Sequence, residues 1–345
     1  MVPSLGGGWM IRVAIIGATG YTAAEAALIL DRHPKAELVA ATSRSEVGRP
    51  LAEIHRRLTG RTGVAITEFD AGEIARQCDV ALCCLPHGAS AETVRSLSGV
   101  GVRVVDFSAD FRLSSLDVYE HWYQTKHPWP QRFGTVPYGM PEFYADQIRT
   151  ADVVANPGCY PTSAILPLVP LVRNDQIETE DIIVDAKSGV SGAGRGLKLG
   201  TLYCEVNESI AAYAVGKHRH APEIADLVRR IGGQEIGLTF TPHLTPMQRG
   251  ILSTIYVRPR GGADASSMRT AIADAYHASP FVQVVQSPPA TADVAGTNRV
   301  HIAVSDAGPR VVITAAIDNL IKGASGAAIQ NLNVMFGLPP ETGLI

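Results

Sequence analysis

The stretch "IRVAIIGATGYTAAEAALIL" constrains the fold more than any other. Ile11 to Ile16 form an apolar run broken only by Arg12, the pattern of a parallel strand buried on both faces. Gly17 and Gly20 follow, and then apolar residues at helical spacing, among them Ala24, Ala27, Leu28 and Ile29. Strand, glycine turn and helix open a dinucleotide-binding unit. The glycines let the backbone approach a pyrophosphate, which rests on the positive end of the helix. The turn reads G-x-x-G-x-x-A, with Ala23 at the third position. An α/β fold with a parallel sheet is expected from here.

The next strand, "AELVAAT", runs into "SRSEVG". A nucleotide on this unit has its adenine ribose near that strand end, where an acid selects NAD and an arginine accommodates a 2′-phosphate. Ser43, Arg44 and Ser45 stand there without an acid, which favours NADP(H). "DVALCCLPHGAS" reads as another buried strand holding Cys83 and Cys84, with Pro86 and His87 beyond its end. "VRVVDFSADFRL" repeats the pattern, and Asp106, Ser108, Asp110 and Arg112 cluster where the strand gives out. Open α/β sheets bind ligands at that end, so the cluster is expected to be functional.

Composition excludes several classes. The chain has 345 residues, 46% hydrophobic and 18% charged, enough for two domains with sizeable cores. A net charge of −3 without long charged runs gives no nucleic-acid footprint. No apolar run reaches the roughly 18 residues of a membrane helix. The opening "MVPSLGGGWM" does not read as a signal peptide, but as a short loose extension. Five cysteines at these spacings suggest neither a disulfide framework nor a zinc site, so no metal and a cytoplasmic setting are expected.

From "NPGCYPTSA" onward the texture changes to long alternating or apolar runs, including "DIIVDAKSGV", "GILSTIYVRPR" and "NRVHIAVSDAGPRVVITAAID". These predict a second, α+β domain on a mostly antiparallel sheet. The tail "DNLIKGASGAAIQNLNVMFGL" turns helical and is expected to return to the nucleotide domain. The division is therefore 1–157 completed by 323–345, and 158–322. Cys159 lies between Pro157-Gly158 and Tyr160-Pro161, in a turn that opens onto a helix which could begin at "TSA". A thiol at a helix N-terminus is favoured as thiolate, the nucleophilic form. It needs a base, and "KHRHAPEIADLVRRIGG" offers His218 and His220 at the start of a helix, with Pro222 and Glu223 in its first turn. His220, nearer the helix, is preferred and His218 is the reserve. "DAKSGVSGAGR" can offer amides and hydroxyls to an anion, and Arg249 suits carboxylate or phosphate. Together the parts fit reduction of an acyl phosphate to an aldehyde through a thioester.

In order along the chain, "GATGYTAAE", "TSRSEVG", "CLPHG", "DFSADFRL", "YGMPE", "NPGCYPTSA", "SGVSGAGR", "HRHAPEI" and "NLIKGASGAAIQNLN" resemble the N-acetyl-gamma-glutamyl-phosphate reductases of arginine biosynthesis. Ala23 and Ser163 depart from the commoner residues of that family. The resemblance implies a fold similar to that of aspartate-semialdehyde dehydrogenase, NADPH as cofactor, no metal, and a homodimer or homotetramer. It implies Cys159 as nucleophile, His220 as acid/base, and Glu223 orienting it or the substrate. For the nucleotide it implies Gly17, Thr19, Gly20, Tyr21, Ser43, Arg44, Pro86, Ser188, Gly189 and Asn331. Arg112, Asn156, Ser188, His218 and Arg249 are implied for the acyl phosphate. An aminoadipyl or aspartyl phosphate would need the same chemistry. A non-catalytic NADP-binding redox sensor would want a resolving cysteine, and no other cysteine lies near Cys159 in sequence.

Overall fold

The computed structural model describes residues 9–345; the opening segment Met1–Gly8 lies outside the described residues. The chain divides into two compact units, Met1–Pro157 with Ala324–Ile345, and Gly158–Gly323.

The first unit runs β1 (Ile11–Ile16), α1 (Tyr21–Leu30), β2 (Ala36–Thr42), α2 (Leu51–Ile54), β3 (Ile66–Thr67), α3 (Ala71–Gln77) and β4 (Val80–Cys83). It continues with α4 (Ala91–Gly99), β5 (Arg103–Asp106), α5 (Leu116–Tyr123), α6 (Pro141–Thr150) and β6 (Val153–Ala155). The six strands form one sheet in the order β3-β2-β1-β4-β5-β6, every pairing parallel. Val13, Ala14, Ile15, Val80, Ala81, Leu82, Val104 and Val105 have no exposed surface, which is why these strands read as largely apolar runs. Strand order reverses between β1 and β4, and an open sheet takes its ligand at that switch point, beyond the carboxyl ends.

The second unit begins with α7 (Cys159–Arg173), β7 (Ile182–Gly189), α8 (Tyr203–Val206), β8 (Ala211–Ala212), α9 (His220–Gly232) and β9 (Leu238–Thr245). It ends with β10 (Ile251–Val257), α10 (Ala265–Ala275), β11 (Val282–Val284), β12 (Val300–Ala307) and β13 (Arg310–Ile317). Its sheet has the order β11-β12-β13-β10-β7-β9-β8. Four of its pairings are antiparallel, while β7–β9 and β11–β12 are parallel. The mostly antiparallel character expected from the alternating runs is present. Residues Tyr160 to Val172 of α7 are all buried, so this helix is core on every side.

The last helix, α11 (Gly326–Met335), belongs to the first unit and is buried along its whole length. Asn331 Nδ2 donates to Gly139 O at 2.9 Å and to Asn156 Oδ1 at 3.1 Å, and Ser325 Oγ donates to Thr22 O. A Cβ added to Gly139 would come within 2.4 Å of Asn331 Nδ2, so only glycine lets the helix this close. No helix among the described residues is long and apolar enough to cross a membrane.

Candidate active site

In the first unit the glycine turn is built from backbone. Gly17 has φ +85°, and a Cβ there would sit 2.7 Å from Cys84 O. Glycine is therefore required both for the left-handed conformation and for the approach of β1 to the end of β4. The Gly17 and Ala18 N–H groups both donate to Thr42 O at 2.9 Å. This ties the turn to the end of β2, from which Ser43 and the exposed Arg44 continue. Gly20 caps α1 without a side-chain acceptor, so the first amides of α1 remain open to an anion. Thr19 is half-buried, Tyr21 exposed and Pro86 exposed in the loop after β4.

Asn331, expected at the nucleotide, is fully buried, and its Oδ1 has no hydrogen-bond partner. A buried acceptor left open beside two satisfied donor bonds is the kind of group a ligand amide completes. Asn156, expected at the substrate, holds the returning helix: its Oδ1 accepts from Asn331 and its Nδ2 donates to Ala324 O at 3.0 Å. Its side chain is engaged at both ends in holding the returning helix.

The "DFSADFRL" cluster departs from its functional reading. Asp106, Ser108 and Asp110 have no exposed surface. Asp110 accepts from the N–H groups of Gly88 (2.7 Å), Ser90 (3.2 Å) and Ala91 (3.0 Å) and from Tyr119 Oη (2.9 Å). Asp106 accepts from Ser90 Oγ at 2.5 Å and Ser108 Oγ at 2.6 Å. Burial first, and then the charge of Asp110, push Asp106 up to about 6. The pair caps α4 and fixes the loop before it. Arg112, expected at the substrate, is buried and donates to Phe107 O at 2.6 Å. Cys84 lies just past β4, not within it, and burial raises it to about 12; buried Cys83 is raised as well. Both are inert core thiols.

In the second unit the helix starts at Cys159 itself, earlier than "TSA", with Gly158 as N-cap. Pro161 is tolerated because first-turn amides have no intrahelical partner. Cys159 remains partly exposed while its neighbours Gly158 and Tyr160 are buried. Opposite it, a Cβ on Gly323 would lie 2.8 Å from Cys159 Cβ, so glycine leaves the thiol its space.

The α9 helix supplies the rest. Glu223, fully buried in its first turn, accepts from the Gly158 N–H at 3.0 Å and so holds the turn that carries the thiol. His218 Nδ1 accepts from the His220 N–H at 3.1 Å, and the two rings lie 4.8 Å apart. Desolvation, with a lesser contribution from Arg219, pulls His218 down to about 4. With Nδ1 accepting, neutral His218 carries its proton on Nε2 and has no free lone pair for a second one. Tyr160 stacks edge-on against both histidines, at 5.5 and 5.8 Å, and its hydroxyl lies 3.1 Å from that of Tyr213. Burial raises both tyrosines, Tyr213 to about 12.

Ser188 and Gly189 end β7 and are locked to the Arg249 loop. Gly189 N–H donates to Gly250 O, Val190 N–H to Met247 O, and a Cβ on Gly189 would meet Arg249 N at 2.7 Å. Arg249 pairs through Nε with fully buried Asp318 at 2.9 Å. Asn319 Oδ1 accepts from Gly250 N–H at 2.7 Å, and its Nδ2 donates to Ser191 Oγ at 3.0 Å. Asp318 and Asn319 were not singled out in the sequence, although a polar pair directly after a long apolar strand is a signal of the same kind as the others. Among the described residues no group of histidine, cysteine and acidic side chains could hold a metal ion.

Comparison with known proteins places these features in a family. Residues 12–151 match the semialdehyde dehydrogenase NAD binding domain, and residues 159–319 the semialdehyde dehydrogenase dimerisation domain. An N-acetyl-gamma-glutamyl-phosphate reductase of Rhodopirellula baltica is 64% identical over 340 residues, covering 97% of this chain and 98% of the relative. One of Pelotomaculum thermopropionicum is 47% identical over 338 residues, 97% of each chain. Among solved structures, aspartate semialdehyde dehydrogenase II of Vibrio cholerae, complexed with ASA, has a TM-score of 0.70 at 20% identity, covering 95% of this chain and 98% of that one. The NADP complex of the Candida albicans enzyme gives 0.69 at 16% identity, covering 94% and 98%. At such identities the structures speak for the fold alone, but the sequence relatives match from end to end, and the chain belongs to the N-acetyl-gamma-glutamyl-phosphate reductase family.

Proposed function

We propose that the chain reduces N-acetyl-gamma-glutamyl phosphate to N-acetylglutamate 5-semialdehyde and phosphate, a step of arginine biosynthesis, with Cys159 as nucleophile and His220 as acid/base. One observation carries the assignment of roles: the Glu223–Gly158 hydrogen bond, which ties the first turn of the histidine helix to the turn that presents the thiol.

Cys159 Sγ, as thiolate, attacks the acyl-phosphate carbonyl; the carbon–oxygen bond to phosphate breaks and phosphate leaves, giving a thioester. The N-terminal charge of α7 favours an anion at Cys159. Neutral His218 cannot take the proton, so His220 takes it from the thiol. In the hemithioacetal, His220 removes the hydroxyl proton, the carbon–sulfur bond breaks, and aldehyde and thiolate are released. Arg249, oriented by Asp318, and the Ser188–Gly189 loop are the chain's means of holding phosphate or carboxylate in this unit. Arg112 remains a candidate for the same duty, whereas Asn156 acts through Asn331 and helix position.

Gly17, Thr19, Gly20 and Tyr21 would hold the pyrophosphate side of NADPH, Ser43 and Arg44 the 2′-phosphate, and Pro86 and the open Oδ1 of Asn331 the nicotinamide end. Bound there, NADPH would supply the hydride, and protonated His220 the proton, that together convert the Cys159 thioester to a hemithioacetal. The dimerisation-domain match supports a homo-oligomer, and a homodimer or homotetramer is the proposed form. A cytoplasmic setting suits a soluble biosynthetic enzyme that uses a free thiolate.

Reduction of NADP⁺ by N-acetylglutamate semialdehyde, dependent on phosphate or arsenate, tests the reading in reverse. Activity lost on alkylation of Cys159 is expected. Activity only on the aminoadipate or aspartate semialdehyde would move the substrate, and inactivity on all three would overturn the reading.

A further inference from the structure

A turn that offers amides to an anion must also dispose of its carbonyl oxygens. Ala18, in the glycine turn, has no exposed surface, so its N–H and its C=O each need a partner. The N–H donates to Thr42 O at 2.9 Å, and the C=O accepts from His55 Nε2 at 2.7 Å. A carbonyl oxygen only accepts, so Nε2 of His55 carries the proton. The His55 ring is 9% exposed, and the residue is not among those expected at the cofactor.

The segment that brings the ring there is anchored on its own account. Leu51 and Leu58, on either side of His55, are each 1% exposed. His55 N–H donates to Leu51 O at 3.0 Å, and its C=O accepts from the Leu58 N–H at 2.8 Å. Two residues on, Arg57 Nη1 pairs at 2.7 Å with Oε1 of Glu25, a buried residue of α1. Residues 51–58 therefore grip both the glycine turn and the helix that follows it.

From this geometry we infer that His55 is a positioning residue for the cofactor. It sets the peptide between Ala18 and Thr19 so that a pyrophosphate meets N–H groups and not an oxygen. In a trans peptide the C=O and the following N–H point to opposite sides. With Ala18 O drawn to the buried ring, the Thr19 N–H is turned away from it, ahead of the Gly20 and Tyr21 amides that open α1. Without the Nε2 donor nothing in the ring's place holds that oxygen, and the peptide can rotate to bring it round. An oxygen facing phosphate repels it, where an amide attracts it. The 2′-phosphate end, assigned to Ser43 and Arg44, does not depend on this bond.

The test compares His55→Met, which keeps bulk and loses the donor, with His55→Gln, whose side-chain amide can donate. Calorimetric titration is expected to show the NADPH dissociation constant raised about tenfold or more in His55→Met and largely restored in His55→Gln. Adenosine 2′-monophosphate, which has no pyrophosphate, is expected to bind both variants as it binds wild type. In turnover the loss should fall on KM for NADPH, with kcat at saturating NADPH nearly unchanged. Wild-type NADPH affinity in His55→Met would overturn the inference. Equal weakening of both ligands would overturn it too, by making the ring a general support of the fold. The inference rests on the proposed seat of the pyrophosphate at residues 17–21, which Gly20→Asp tests separately. The nearest neighbour of a Cβ at Gly20 lies 3.9 Å away, so the side chain fits, and its carboxylate repels a pyrophosphate seated there. Unchanged NADPH binding in Gly20→Asp would fault the seat; weakened binding there, with His55→Met unaffected, faults His55 alone. If His55→Met does not fold, nitrogen NMR of the wild-type imidazole decides. A protonated Nε2 whose resonance shifts with NADPH and not with adenosine 2′-monophosphate is expected, and one that NADPH leaves unmoved would overturn the inference.

Discussion

Two polar clusters in this chain look alike as sequence and differ as structure. "DFSAD" gathers two aspartates and a serine at a strand end; "NPGC" and "HRHAPE" gather a thiol, two histidines and a glutamate at helix starts. In the first, each carboxylate is buried and accepts hydrogen bonds from neighbouring amides and hydroxyls. In the second, only the support is treated so: Glu223 is buried on the Gly158 amide, while Cys159, His218 and His220 all keep partial exposure. Satisfied burial builds a scaffold, and chemistry needs a reactive atom left reachable on one.

Substitutions should separate the two clusters sharply. Cys159→Ser is expected to lower turnover about 10⁴-fold while NADPH binding, followed by fluorescence titration, stays unchanged. His220→Asn should cost about 10²–10³ in kcat, the usual scale of lost acid–base catalysis. Glu223→Ala removes the acceptor of the Gly158 amide and should lower kcat by roughly tenfold to a hundredfold; Glu223→Gln, which restores an acceptor, should recover most of it. Asp110→Asn should leave kcat of the folded enzyme within about threefold, yet lose about 3 kcal/mol in urea unfolding, because buried donors lose a charged acceptor. A large kcat effect of Asp110→Asn with unchanged stability would erase the distinction.

The smallest effect concerns pH. His218 is held below its ordinary value by burial, down to about 4. Between that value and about 6.5 the unfolded chain binds the proton and the folded one does not, so stability rises with pH across the window. The contribution is fully present above pH 6.5 and is lost as pH falls towards 4. His218→Asn should therefore flatten the stability profile by on the order of 2 kcal/mol between pH 7 and 4.5. Parallel profiles for the two proteins would contradict a buried neutral His218.

Much of this was legible in one dimension. The run Ile11–Ile16 and the segment Ala36–Thr42 are strands as read, because burial leaves a mainly apolar record, interrupted by Arg12 and by exposed Glu37. Pro222 and Gly233 mark the first turn and the C-cap of α9, since each answers a local backbone need. What stayed hidden depends on partners far along the chain. Gly158 and Glu223 are 65 residues apart, and Ser191 and Asn319 are 128 apart. The scaffold role of Asp106 and Asp110 was not legible, because burial at a strand end leaves no periodic mark. The order of preference between His218 and His220 rested on position and resemblance; the desolvation of the His218 ring and the bond to its Nδ1 exist only in the fold.

The most direct measurement is a single-turnover one: enzyme mixed with N-acetylglutamate semialdehyde and NADP⁺ in the absence of phosphate, followed by peptide mass spectrometry. A burst of one NADPH per active chain, with the N-acetylglutamyl group on the peptide bearing Cys159 and its release on adding phosphate, is the expected result. A burst with the acyl group on another residue, or turnover without any adduct while Cys159→Ser remains active, would contradict the thioester at the centre of the mechanism.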